Sequence, residues 1–101
     1  MLKKQYLKTR PICKVTFRIH KTAAQSASGI ALVGDFNGWD TQATPMTALK
    51  NGEFTAVLEL DTGMSEYQFR YLYDGSRWEN DWEADGYAVN GVDGENSIVR
   101  V

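Results

Sequence analysis

The sequence of 101 residues contains one cysteine and one histidine, Cys13 and His20. A single cysteine excludes an intrachain disulfide. One residue of each type excludes a metal site of the ordinary Cys/His kind. A nucleophilic Cys–His pair would need a third group to orient the base, and the sequence suggests none. Cys13 lies in a strand-like run and reads as a small buried hydrophobe. No apolar run approaches transmembrane length. The basic N-terminus, MLKKQYLKTRP, lacks the apolar segment of a signal peptide, so a cytoplasmic location and no membrane partner are expected. Acids are missing from the first 34 residues, which carry seven basic groups; all 13 acids follow, with only Lys50, Arg70, Arg77 and Arg100 beside them. A basic arm suits nucleic acid or an acidic partner. This one lacks the interleaved aromatics of a single-strand binder, and basic strands laid beside acidic ones would neutralise within a net charge of −2. No nucleic-acid ligand is therefore expected. Helix signals are also scarce, since no window combines a 3.6-residue period with a cap.

What is present is strand. KVTFRIH alternates, with Val15, Phe17 and Ile19 on one face. TAAQSASG, residues 22–29, is small and polar and reads as a loop. IALVGDF is a second strand. Asn51-Gly52 predicts a hairpin, because this pair supplies the positive φ angles of a type I′ turn. The strand after it turns Phe54, Ala56, Leu58 and Leu60 inward. EYQFRYLY puts Tyr67, Phe69, Tyr71 and Tyr73 on one face and Gln68, Arg70 and Leu72 on the other, which predicts Arg70 in solvent. Asp74-Gly75 makes another tight hairpin into RWEN, a loop rich in Asp, Asn and Gly follows, and NSIVRV closes the chain as a strand. About seven short antiparallel strands at regular turn spacing predict an all-β, immunoglobulin-like sandwich. Residues 11–101 form the single domain, and residues 1–10 a short basic extension, frayed or laid along a sheet edge.

None of the three tryptophans continues the inward pattern of a long strand. Trp39 falls in the turn-rich stretch VGDFNGWDTQATPM, Trp78 just past the Asp74-Gly75 hairpin, and Trp82 in RWENDWEADG. Indole rings near loops can stack on the C–H faces of sugar rings, or they can plug the ends of a sandwich. Glu79, Asp81, Glu83 and Asp85 crowd the last hairpin, where they accept hydroxyl bonds or simply solvate a loop.

LVGDFNGWD, YQFRYLYDGSRWENDWEAD and GENSIVRV, in that order, resemble the family 48 carbohydrate-binding module. This is the glycogen-binding domain of the AMP-activated kinase β subunit and the N-terminal early-set domain of isoamylases and branching enzymes. The resemblance covers residues 12–101 and is strongest to free-standing bacterial proteins of this size. It implies an early-set sandwich and non-catalytic binding of an α-1,4-linked glucan, glycogen- or starch-like, without a cofactor. A glycogen-metabolising enzyme would be the protein partner, and the chain a monomer or weak homo-oligomer. By the same resemblance Trp39 and Trp78 form a stacking platform, while Arg70 and Asn96 bond glucose hydroxyls. The chain departs from the family pattern at three points. Arg70 replaces the commoner lysine, one extra residue (Ser76 or Arg77) precedes Trp78, and Trp82 stands where many members have proline, either as a third stacking ring or as a plug. The competing reading is a protein-interaction or dimerisation module on the same fold, with the tryptophans as interface anchors.

Overall fold

The computed structural model describes residues 2–101. The chain runs β1 (Leu2–Tyr6), β2 (Ile12–Ile19), α1 (Lys21–Ala24), β3 (Ile30–Gly34), a 3-10 turn (Asp35–Asn37), β4 (Thr47–Ala48), β5 (Phe54–Asp61), β6 (Glu66–Tyr73), β7 (Arg77–Glu79), β8 (Gly86–Val89) and β9 (Glu95–Arg100). All pairings are antiparallel. One sheet has the order β1-β2-β5-β4, the other β3-β6-β9-β8, with β7 also paired to β6. This is the expected immunoglobulin-like, early-set sandwich.

Strand alternation builds the core. Val15 and Phe17 of β2, Leu32 of β3, Phe69 and Tyr71 of β6 and Val99 of β9 meet between the sheets, and Cys13 is buried with them. Phe17 packs edge-on against Phe69 at 5.2 Å between centroids, and Phe36 closes the same end of the sandwich at 5.6 Å from Phe17. Offset and edge contacts of this kind add to the burial of the rings.

Several local expectations need correction. Among the described residues there are nine strands, because β4 and β7 are too short to show a period and β8 lies inside the Asp/Asn/Gly-rich stretch. Of the two expectations for the N-terminal extension, the sheet edge describes Leu2–Tyr6, which pairs with β2 from Leu2↔Phe17 to Tyr6↔Cys13. The stretch expected as a loop at 22–29 opens with the one-turn helix α1, which buries Ala24. The Asn51-Gly52 hairpin forms, but not through a two-residue type I′ turn. Lys50 joins the loop, Leu49 and Glu53 close it through an N–H to C=O bond of 2.7 Å, and only Gly52 takes a positive φ, 88°. A three-residue loop needs just one left-handed position, and glycine fills it. Among the described residues no helix is long and apolar enough to cross a membrane.

Basic groups of the first 34 residues meet acids of the rest of the chain. Lys4 bonds Asp85 at 2.6 Å, Arg10 lies 3.7 Å from Glu59, and Arg18 pairs with Glu53. Three of the seven basic groups of the first 34 residues are thus matched by acids within the molecule.

Candidate functional site

The turn after β3 answers why a tryptophan occupies it. A Cβ on Gly34 would sit 2.6 Å from the Gln68 carbonyl oxygen, so only glycine lets β3 end this close to β6. Phe36 then turns inward onto Phe17 and Tyr67. The Asn37 side chain accepts from the Gly34 N–H at 3.1 Å and donates to the Leu32 carbonyl and the Thr44 hydroxyl, both at 3.0 Å. Gly38 and Trp39 follow in the left-handed region, at φ 67° and 60°. That conformation is unusual for a tryptophan. Asp35 holds the result in place, since its carboxylate accepts from the Trp39 indole N–H at 2.9 Å and from the Gln68 N–H at 2.8 Å. The indole nitrogen is thus occupied, and the ring has its faces to offer.

The second ring is set by a hairpin. Asp74 and Gly75 both take positive φ, and the Asp74 carboxylate accepts from the Ser28 and Gly29 N–H groups at 2.8 and 2.9 Å. β7 then pairs Arg77 with Tyr73, Trp78 with Leu72 and Glu79 with Tyr71. Tyr71 and Tyr73 face the core, so Leu72 and Trp78 share the outer face. The extra residue before β7 does not turn Trp78 away. Arg77 goes to the other side, where its guanidinium carbon lies 5.0 Å from the Tyr73 ring centroid.

Arg70 and Asn96 are on that outer face too, on β6 and β9. Arg70 is not in solvent as the alternation predicted; it is 8% exposed. The 90–94 loop folds over it. Asp93 receives two bonds from its guanidinium, at 2.7 and 3.0 Å, and the Glu95 carbonyl accepts from its Nε at 3.0 Å. This guanidinium, with the Asn90 amide at 2.9 Å, holds the Asp93 carboxyl below its usual range. Asn96 donates to Gln68 Oε1 at 3.0 Å and accepts from Asn90 at 3.1 Å.

Trp39, Arg70, Trp78 and Asn96 therefore surround one open depression of about 300 Å³, together with Asn90, Val92 and Asp93. Three separate stretches of sequence converge there. Sequence reasoning missed the last three residues. A signal for Val92 existed, as it is a lone apolar residue in a polar Gly/Asp/Asn loop, and it is 90% exposed. Nothing local announced that Asp93 would reach across to Arg70.

Trp82 is elsewhere. It is 61% exposed, and it lines a different cavity, at the side of the sandwich near α1. The acids of this region do not form one exposed cluster either. Asp81 is buried, accepts the Tyr71 hydroxyl at 2.7 Å, and its N–H donates to Ser97 Oγ at 2.9 Å. Burial first, and the Asp81 charge second, raise the Tyr71 hydroxyl far above the ordinary phenol range. Among the described residues no group of three or more His, Cys, Asp or Glu side chains is arranged to hold a metal ion.

The sequence model of the family described as carbohydrate-binding module 48 (isoamylase N-terminal domain) matches residues 7–88. The match includes both turn tryptophans and Arg70; β1, the 90–94 loop and β9 lie outside it. No curated protein gives a significant match to the chain.

Proposed function

The chain belongs to the carbohydrate-binding module 48 family, and from that premise we propose that it binds α-1,4-linked glucan, without catalysis, across the outer face of the β3-β6-β9-β8 sheet. The observation that carries the reading is the convergence of two indole rings, a guanidinium and a carboxamide around one depression. Trp39 and Trp78 supply apolar faces for sugar C–H groups, while Asn96, Asn90 and the Arg70–Asp93 pair supply hydroxyl partners. The rings come from two different elements around a hollow, which suits a curved α-linked chain better than a flat β-linked one. Each stacked ring covers roughly 100 Å² of apolar surface, or ~2–3 kcal/mol gross. Association entropy removes much of that, so affinity for a short oligosaccharide is modest. The protein served would be a glycogen-metabolising enzyme in the cytoplasm.

Intrinsic tryptophan fluorescence tests the reading. Maltoheptaose should give a saturable change and cellohexaose none. In Trp78→Ala the maltoheptaose affinity should fall roughly tenfold or more, as expected from losing ~1.4 kcal/mol or more of stacking. No response to millimolar maltoheptaose in the folded protein would overturn the glucan reading and favour the protein-interaction module.

A further inference from the structure

We propose that the cavity beside Trp82 is a second sugar subsite, one that takes a single pyranose ring with Trp82 as its stacking face. The proposal rests on the glucan reading for the class of ligand, and on a different set of residues for the site. The cavity measures about 260 Å³. That is close to the volume of the platform depression and leaves room for one pyranose ring against the indole. Tyr71 and Tyr73, both buried, line its inner side; Trp82, His20 and Glu83 stand at its exposed side.

The exposure of Trp82 decides between the two roles open to it. A plug is covered by what it seals, whereas this ring keeps most of its surface in water beside an apolar hollow. The polar groups decide the class of ligand. His20 and the Glu83 carboxylate lie 4.0 Å apart at the exposed side, and the Asp81 carboxylate is further in. With the Arg18 guanidinium also in the lining, an ion of either sign would meet a like charge there. A neutral polyol can donate to carboxylates and also accept from an imidazole N–H.

The walls are fixed in advance. The Tyr71 hydroxyl donates to Asp81 at 2.7 Å and the Tyr73 hydroxyl to the Ala23 carbonyl at 2.8 Å, so little ordering is left for binding to pay. The two sites also share a support. The Glu95 carbonyl accepts from Arg70 Nε, under the depression, at 3.0 Å and from the Asn80 amide, at the cavity, at 2.9 Å. Two subsites on one rigid module would let it grip two chain segments of a polysaccharide, with avidity beyond that of either.

The test uses the indole N–H signals of the full chain, one for each of the three tryptophans. Nitrogen-15 NMR follows them during titration with maltose, with cellobiose as control. The Trp82 signal should shift saturably with its own midpoint, distinct from Trp39 and Trp78, and should do so unchanged in Trp78→Ala. A Trp82 signal that stays flat while the other two respond would overturn the second subsite and leave the platform standing. A Trp82 shift that disappears in Trp78→Ala would also overturn it. Movement of Trp82 alone would support this site and overturn the platform instead, and three flat signals would overturn both.

Discussion

Arg70 shows how far a single residue departs from its pattern. Its position on the outer face follows from period two, but its burial follows from Asp93, twenty-three positions away and bound to both terminal nitrogens. The pair can hold the loop that carries Val92 against the sheet. Replacing Asp93 by Asn removes the charge and one of the two acceptors, and a guanidinium facing an amide N–H loses its fork geometry. Asp93→Asn should therefore weaken maltoheptaose binding severalfold while the protein stays folded. The pH dependence has a definite sign. Arg70 lowers the folded-state pKa of Asp93, so the contribution of the pair is complete above the ordinary carboxylate value of about 3.9. It is lost as the pH falls through the lowered value. The advantage of the native protein over Asp93→Asn should be constant from neutral pH down to about 4 and close below it. An advantage that disappears nearer neutrality would assign the effect to another group. Fluorescence titrations at a series of pH values measure it.

At the scale of the element, the turn from Gly34 to Trp39 behaves as one device. Close approach at Gly34, the inward ring of Phe36, the Asn37 bonds and the Asp35 carboxylate together hold Trp39 in a backbone conformation it would not choose alone. Gly34→Ala puts a methyl group 2.6 Å from the Gln68 carbonyl and 2.7 Å from Phe69 Cβ. Both neighbours belong to the central strand β6 and cannot swing away. The cost should be ~1–3 kcal/mol, as for overpacked cores. That corresponds to a fall in Tm of roughly 4–8 °C per kcal/mol in a domain of this size. Thermal unfolding followed by circular dichroism gives the number, and an unchanged Tm would mean that β3 and β6 separate freely. The hairpins were legible as hairpins, because Asn-Gly and Asp-Gly mark turns wherever they stand. Their loop lengths were not, since Lys50 and Ser76 carry no signal of their own for joining a turn. β8 was not legible either, because an edge strand with alternate exposure in a Gly- and Asp-rich stretch reads as loop.

For the whole molecule, the consequential feature is the edge formed by β1. Leu2–Tyr6 covers one side of β2 and packs Leu2 against the core. It also brings Lys4 to Asp85, on the connection between β7 and β8 of the other sheet. Removal of residues 1–6 would expose a row of backbone donors and acceptors on β2, each ladder bond being worth ~0.5–1.5 kcal/mol net. The shortened chain should be less stable and should dimerise at high concentration, because an uncovered edge is a template for pairing. Sedimentation velocity at several concentrations checks this. A shortened chain that stays monomeric and equally stable would show that β1 contributes nothing to the sheet.

The sequence by itself determined the fold class and the inward faces of its long strands. Period-two alternation and turn residues are local signals, and every conformation of β2 or β6 that buries its aromatic face repeats them. It also marked Trp39 and Trp78 as residues outside the core, and through family motifs it brought Arg70 and Asn96 forward as their companions. Only the tertiary structure decided that Asp93 closes over Arg70 and that Trp82 opens onto a cavity of its own. Those outcomes depend on distances between residues far apart in the chain, fixed when two sheets pack and a loop lies across one of them. No window of sequence contains both partners of such a contact.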